Sequence, residues 1–253
     1  MSSMTVTSWY EQRTFGHLCD EAARRWNDAE ALVFKEERYT FTELAAMVDA
    51  AARGFMAQGV MPGAHVALWL NNCSEWIVAS FALAKIGAVQ VPLNTRLRSR
   101  DVAYVLHQSD STMLVTHDVS GPVDYLDMVR SVVALPASGT QIDDAQFPHL
   151  TQVVLLSDER HSGTMSWGGV VASGEGVSAA ALAERAASVD DASPVFIMYT
   201  SGTTGAPKGV VHSHKLVRNV EERGFRMAIT PNDRILNYLP LFHAFGFSEG
   251  PIM

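Results

Sequence analysis

The sequence predicts an α/β protein. Helical and strand-like hydrophobic periods alternate along 253 residues, the order that builds sheets from strand–helix units. Hydrophobic residues make up 47% of the chain, ample for a packed core. An apolar run, Val195-Phe196-Ile197-Met198, empties into a loop of glycines, hydroxyls and one lysine. A buried strand followed by such a loop is the setting of a phosphate-binding site.

The elements read in order. A helix from about Thr14 to Trp26 puts Phe15, Leu18, Cys19, Ala22 and Trp26 on one side, so Cys19 is expected to be a buried free thiol. A hairpin-like pair follows at 31–34 and 38–39. Thr40 and Glu43 have capping-box spacing, and Leu44, Met47, Val48, Ala51 and Phe55 then recur at helical spacing until Gly59. Residues 65–70 read as strand, 75–86 as helix, and 88–91 as strand closed by Pro92. Ser99 is the expected cap of a helix through Gln108, and 112–116 is a short strand. Residues 117–150 read as loops around one short helix, and strand returns at 151–156. Residues 157–180, rich in Gly, Ser and charge, read as a mobile surface segment with Trp167 as its large anchor. After the Gly-rich loop come a helix from about Ser213 to Met227 and a strand at 234–239. Residues 245–247 look like the entry to another helix that the last residues neither cap nor complete, so the chain reads as cut. No internal repeat or low-complexity tract occurs.

Composition excludes several functions. The formal net charge of −8 argues against general affinity for nucleic acid or anionic membrane. The largest basic excess, Arg96, Arg98 and Arg100, reads as a solvated loop face. Two cysteines with no Cys-x-x-Cys make no disulfide framework, which fits a reducing cytoplasm. Residues 1–8 lack the basic start and apolar core of a signal peptide. The apolar stretch 76–93 is interrupted by Lys85, Gly87, Gln90 and Pro92, so it reads as helix then strand rather than a membrane span.

The loop itself is Tyr199-Thr200-Ser201-Gly202-Thr203-Thr204-Gly205-Ala206-Pro207-Lys208-Gly209. Glycines let backbone N–H groups approach phosphate oxygens, hydroxyls add donors, and Lys208 adds a full positive charge. The loop is not the common P-loop, because Pro207 stands where that motif needs glycine and Gly209 where it needs Ser or Thr. No Gly-x-Gly-x-x-Gly opens a helix, which sets aside a dinucleotide-binding dehydrogenase. Downstream, Leu239-Pro240-Leu241-Phe242-His243-Ala244-Phe245-Gly246 carries one histidine among aromatics. His212 and His214, two residues apart, lie on one side of a strand, but no nearby Cys, Asp or Glu completes a metal set, and an exposed loop is expected.

The loop at 199–209 resembles the phosphate loop of the adenylate-forming superfamily, which includes acyl-CoA synthetases, luciferases and peptide-synthetase adenylation domains. The Pro-Leu-Phe-His run resembles the aromatic/His motif of acyl-CoA synthetases. Phe41-Thr42-Glu43-Leu44 and the run from Leu83 to Asn94 resemble early family motifs. The likeness is poorest over 117–180, where nothing is carried over. It implies the amino-terminal portion of a large adenylate-forming domain: layered sheets with helices on both faces, without the small carboxy-terminal lid domain. A first α/β region would cover about 1–190, and the phosphate loop with the start of the next region about 191–253.

The same resemblance implies a ligase that joins a carboxylic acid, expected to be a fatty acid, to ATP and then to coenzyme A, with Mg²⁺. Thr200, Ser201, Gly202, Thr203, Thr204, Gly205 and Lys208 would hold the β- and γ-phosphates. His243 would stand between acyl carboxylate and nucleotide, with Phe247 and Ser248 lining the start of the acyl pocket. The family's adenine, ribose, magnesium and lid residues would lie beyond Met253, so the 253 residues alone are expected to be inactive. Two alternatives stay open: a non-catalytic nucleotide- or acyl-binding fragment, and an adenylation domain that loads a carrier protein. Chain length of the acid and oligomeric state are not legible.

Overall fold

The computed structural model describes residues 13–200 and 206–252. A 3-10 turn at Phe15–His17 leads into α1 (Leu18–Trp26) and then the hairpin of β1 (Glu30–Phe34) and β2 (Glu37–Thr40). Thr40 starts α2 (Phe41–Ala57) with the expected capping box. Its hydroxyl accepts the Glu43 N–H at 3.2 Å, and the Glu43 carboxylate accepts the Thr40 N–H at 2.8 Å. The helix stops at Gly59, whose φ of +81° turns the Val60 N–H back onto the Phe55 carbonyl at 3.0 Å. Strand β3 (His65–Trp69) leads to α3 (Ser74–Lys85), and Gly87, at φ +75°, ends that helix in the same way before β4 (Val89–Pro92). The stretch 76–93 is therefore helix, turn and strand. Among the described residues no helix is long and apolar enough to cross a membrane.

The chain continues through α4 (Ser99–Gln108), β5 (Met113–His117), a small hairpin of β6 (Val119–Ser120) and β7 (Val123–Asp124), α5 (Tyr125–Arg130) and β8 (Gln152–Leu156). Ser99 is the first residue of α4 rather than its cap. The Arg98 N–H is the group satisfied there, by the Asp101 carboxylate at 3.2 Å. Next come β9 (Met165–Ser166), α6 (Trp167–Ser173), α7 (Ala179–Ala187), β10 (Pro194–Thr200), β11 (Lys208–Ser213), α8 (Leu216–Arg226) and α9 (Ala244–Ser248).

Seven strands form one sheet in the order β11-β10-β4-β3-β5-β8-β9. All neighbours are parallel except β10 and β11. Strand alternation divides the interior into two cores. Val66 and Leu68 of β3 join α2 and α3 on one face, while Ala67 and Trp69 join α4 and α5 on the other. Helices therefore cover both faces, as the α/β reading requires.

Several polar groups inside are paired. Lys85, 5% exposed, reaches Asp20 of α1 at 2.7 Å and also Asp49 of α2. Burial opposes its charge, but the two carboxylates outweigh burial and raise its pKa. Gln90 and Ser80 satisfy each other, with the Ser80 hydroxyl donating at 2.6 Å and the Gln90 amide donating to the Ser80 carbonyl at 2.8 Å. Cys19 and Cys73 are buried and unpaired, and burial pushes both thiol pKa values up, that of Cys73 to about 12.

Two further sequence expectations fail. Residues 157–180 are not a mobile surface stretch. Ser166 caps α6 through the Gly169 N–H at 3.1 Å, and Val170 is fully buried. The glycines there serve close packing: a Cβ on Gly174 would sit 2.5 Å from the Gly54 nitrogen of α2. Residues 234–239 form no strand, and among the described residues no backbone pairs with them. Leu236 is 87% and Tyr238 81% exposed.

These packing contacts predict opposite signs for two alanine substitutions in one segment. Gly174→Ala should destabilise the protein by about 1–3 kcal/mol, because backbone atoms of α2 cannot yield. Gly168→Ala, in α6, places its methyl group in open space and should be neutral or stabilising by about 0.5–1 kcal/mol. Denaturant midpoints at unchanged slope would check both.

Candidate functional site

The phosphate-loop candidate sits in a hairpin. Strand β10 carries Thr200 at its end and β11 begins at Lys208, and these two residues face each other across the mouth. Both are exposed. Ser201, Gly202, Thr203, Thr204 and Gly205 lie outside the described residues. The second strand goes beyond the sequence expectation: Gly209, Val210 and Val211 continue in extended form through Ser213, and the expected helix begins at Leu216. The base of the hairpin rests on α4. The Tyr104 hydroxyl donates to the Pro207 carbonyl at 3.2 Å, and the Tyr199 hydroxyl donates to Gln108. Gly209 faces Ile197 and the Tyr199 ring, and a Cβ there would come within 2.7 Å of Ile197.

The histidine candidate occupies the start of α9. His243 is exposed, and its Nδ1 accepts the Phe245 N–H at 3.3 Å. The preceding loop is folded tightly, because the His243 N–H reaches the Pro240 carbonyl at 3.1 Å and Gly246 packs against that same carbonyl. Phe247 is fully buried and Ser248 is 5% exposed.

An aromatic cluster joins the two parts. Phe15 stacks on Phe81 of α3 at 4.4 Å between centroids and meets Phe247 of α9 at 5.1 Å. Phe196 of β10 touches Phe247 edge-on at 4.9 Å, and Trp76 closes the other side at 5.1 Å. Each such pair contributes about 0.5–1.5 kcal/mol beyond burial. The strand that leads into the candidate loop and the helix that His243 caps therefore share one rigid core.

His214 corrects another expectation. It is fully buried rather than on an exposed loop, and its Nδ1 accepts the Phe15 N–H at 3.0 Å. Burial, with His17 nearby, lowers its pKa to about 4. His212 is half-buried on β11. Among the described residues no group of three His, Cys, Asp or Glu lies together in a way that could hold a metal ion.

A family model described as AMP-binding enzyme matches residues 19–252. The chain belongs to the AMP-binding enzyme family. YngI of Bacillus subtilis (strain 168) is 35% identical over 238 residues, 92% of this chain and 43% of its own length. The long-chain-fatty-acid–CoA ligase FadD13 of Mycobacterium tuberculosis (strain ATCC 25618 / H37Rv) is 33% identical over 207 residues, 81% of this chain and 36% of its own. The solved structure of the anthranilate CoA ligase AuaEII with anthranoyl-AMP superposes with a TM-score of 0.80 at 21% identity, covering 98% of this chain and 45% of that one; it shows the fold alone. The chain thus spans less than half the length of these curated relatives.

The loop and the histidine are legible in sequence, but what holds them is not. Tyr104 and Gln108 read only as part of a helix, and the Phe15–His214 contact joins residues 199 positions apart. The one available signal is the aromatic spacing around Phe15.

Because His214 is held neutral, it makes stability depend on pH. The unfolded chain takes up its proton near the ordinary value of 6.5, the folded chain only near 4. Between these values the unfolded state binds more protons, so the contribution is complete above pH 6.5 and is lost as pH falls toward 4. Its full amplitude is on the order of 3 kcal/mol. Asn supplies an acceptor in place of Nδ1 without titrating, so His214→Asn should flatten that part of the stability–pH curve, as measured by denaturation at a series of pH values.

Proposed function

We propose that this chain supplies the phosphate-gripping and acyl-facing part of an ATP-dependent acid–CoA ligase. The observation that carries the reading is the pairing of Thr200 with Lys208 across the hairpin mouth, with the Ser/Thr/Gly run between them. An exposed ammonium group opposite an exposed hydroxyl, with further hydroxyls in the sequence between them, fits the phosphates of ATP. The relatives support the ligase class, and FadD13, by its name, acts on long-chain fatty acids. We extend that substrate class, a fatty acid, to this chain.

In the proposed reaction a carboxylate oxygen of the acid attacks the α-phosphorus of ATP. The bond from that phosphorus to the bridging oxygen breaks, and pyrophosphate leaves. The thiolate of coenzyme A then attacks the acyl carbonyl, the thioester forms, and AMP departs. Thr200, Ser201, Gly202, Thr203, Thr204, Gly205 and Lys208 hold the β- and γ-phosphates and neutralise charge on the leaving group. His243, exposed and oriented by its bond from the Phe245 N–H, positions the attacking carboxylate. Mg²⁺ supplies further neutralisation of the phosphates; its protein ligands are not assigned to this chain. The proposal places the reaction in the cytoplasm.

ATP–pyrophosphate exchange with a panel of acids tests this reading. Because the matched relatives are more than twice as long, the full-length enzyme containing these residues should exchange with fatty acids, and the 253 residues alone should fall far short. Lys208→Ala and His243→Ala in the full-length enzyme should each lower exchange about a hundredfold. Consumption of coenzyme A supports the ligase. Loading of a carrier protein, or ATP binding without exchange in the full-length enzyme, would replace it with one of the two alternatives.

A further inference from the structure

The loop that carries His243 is held by a side chain from a distant part of the sequence. Asn72 lies in the corner between β3 and α3, one residue before the Cys73 that precedes the helix. Its Nδ2 donates to the Leu239 carbonyl at 2.8 Å, and its Oδ1 accepts the Leu241 N–H at 2.9 Å. Those two backbone groups flank Pro240, which has no N–H to offer. The Asn72 amide thus holds the bend at both of its ends. The orientation of the amide is determined, because a carbonyl only accepts and an N–H only donates.

The consequence reaches His243 in two steps. With Leu239 and Leu241 fixed, the Pro240 carbonyl between them is fixed, and it accepts the His243 N–H at 3.1 Å. The His243 carbonyl then accepts the Phe247 N–H at 3.1 Å, which seats the loop on the aromatic core. Asn237 braces the other side, donating to the Gly246 carbonyl at 2.8 Å. The neighbouring Asn71 turns elsewhere, donating to the Ser120 hydroxyl at 2.7 Å.

We infer that Asn72 is a positioning residue for His243: its amide sets where the histidine stands relative to the carboxylate being activated. This rests on the reading of His243 given above and adds a residue to it. The packing of α3 does not require the amide, so the effect should be confined to the acid side of the reaction.

The test uses the full-length enzyme with Asn72→Ala and the isosteric Asn72→Asp. The aspartate keeps the acceptor for Leu241 but turns a second oxygen toward the Leu239 carbonyl. Both variants should raise KM for the acid so that kcat/KM for the acid falls roughly tenfold, with kcat and KM for ATP unchanged. Amide hydrogen exchange should quicken over residues 239–243 and stay unchanged over α3. Equal losses for acid and ATP, or unchanged exchange at 239–243, would overturn the inference. His243→Ala separates the two ideas. If it leaves acid kinetics unchanged, the reading of His243 fails. If it lowers them while both Asn72 variants match wild type, the positioning role fails alone.

Discussion

The contact on which the site depends is the stack of Phe15 on Phe81, wedged against Phe196 and Phe247. It gathers four separate stretches of chain into one apolar knot: the N-terminal turn, α3, β10 and α9. Rings in contact resist displacement because interiors are close-packed, and a shift of one must be absorbed by the others. Strand β10 ends at the proposed phosphate loop and α9 begins just after His243, so the knot sets the distance between the two candidate groups. His214 extends it with a polar clasp, since its imidazole accepts the Phe15 N–H inside the core. A neutral imidazole is required there, and burial keeps it neutral.

Polar groups play the same part at the margins. Lys85 ties α1 and α2 to α3 through Asp20 and Asp49. Removing both carboxylates would leave the buried Lys85 charge uncompensated, while the carboxylates themselves stay partly exposed, so the set acts as a clamp on geometry more than as a source of net stability. Tyr104 and Asn72 are smaller versions of the idea. Each directs a side-chain hydrogen bond to a backbone carbonyl at or beside a proline, at Pro207 and at Leu239 before Pro240. Proline cannot donate to a ladder, so chain beside it needs holding from outside.

Local features are legible where the chemistry is local. The Thr40–Glu43 cap, the glycine stops at Gly59 and Gly87, and the apolar strands around Val66 and Leu114 all follow from neighbours within a few residues. Sequence reading fails where a distant partner decides. Glycine-rich 157–180 reads as loose, yet Gly174 is there so that α2 can approach. The apolar run at 234–239 reads as a strand, yet a strand needs a neighbour, and Leu236 and Tyr238 face solvent. His214 reads as exposed because its polarity is visible in sequence and its partner is not.

The sequence by itself determined the α/β class, the family motif at 199–209 and the identity of the groups proposed to face phosphate and carboxylate. Those depend on residue type, period and spacing, which the chain displays directly. The tertiary structure decided the two-sided sheet order, the hairpin that sets Thr200 opposite Lys208, and the links that His214, Asn72 and Tyr104 make to the site. These links join residues 199, 167 and 103 positions apart, and no local rule of spacing encodes which of many polar side chains will meet which backbone group. Packing density and the need to satisfy buried backbone groups make that choice only once the chain has closed on itself.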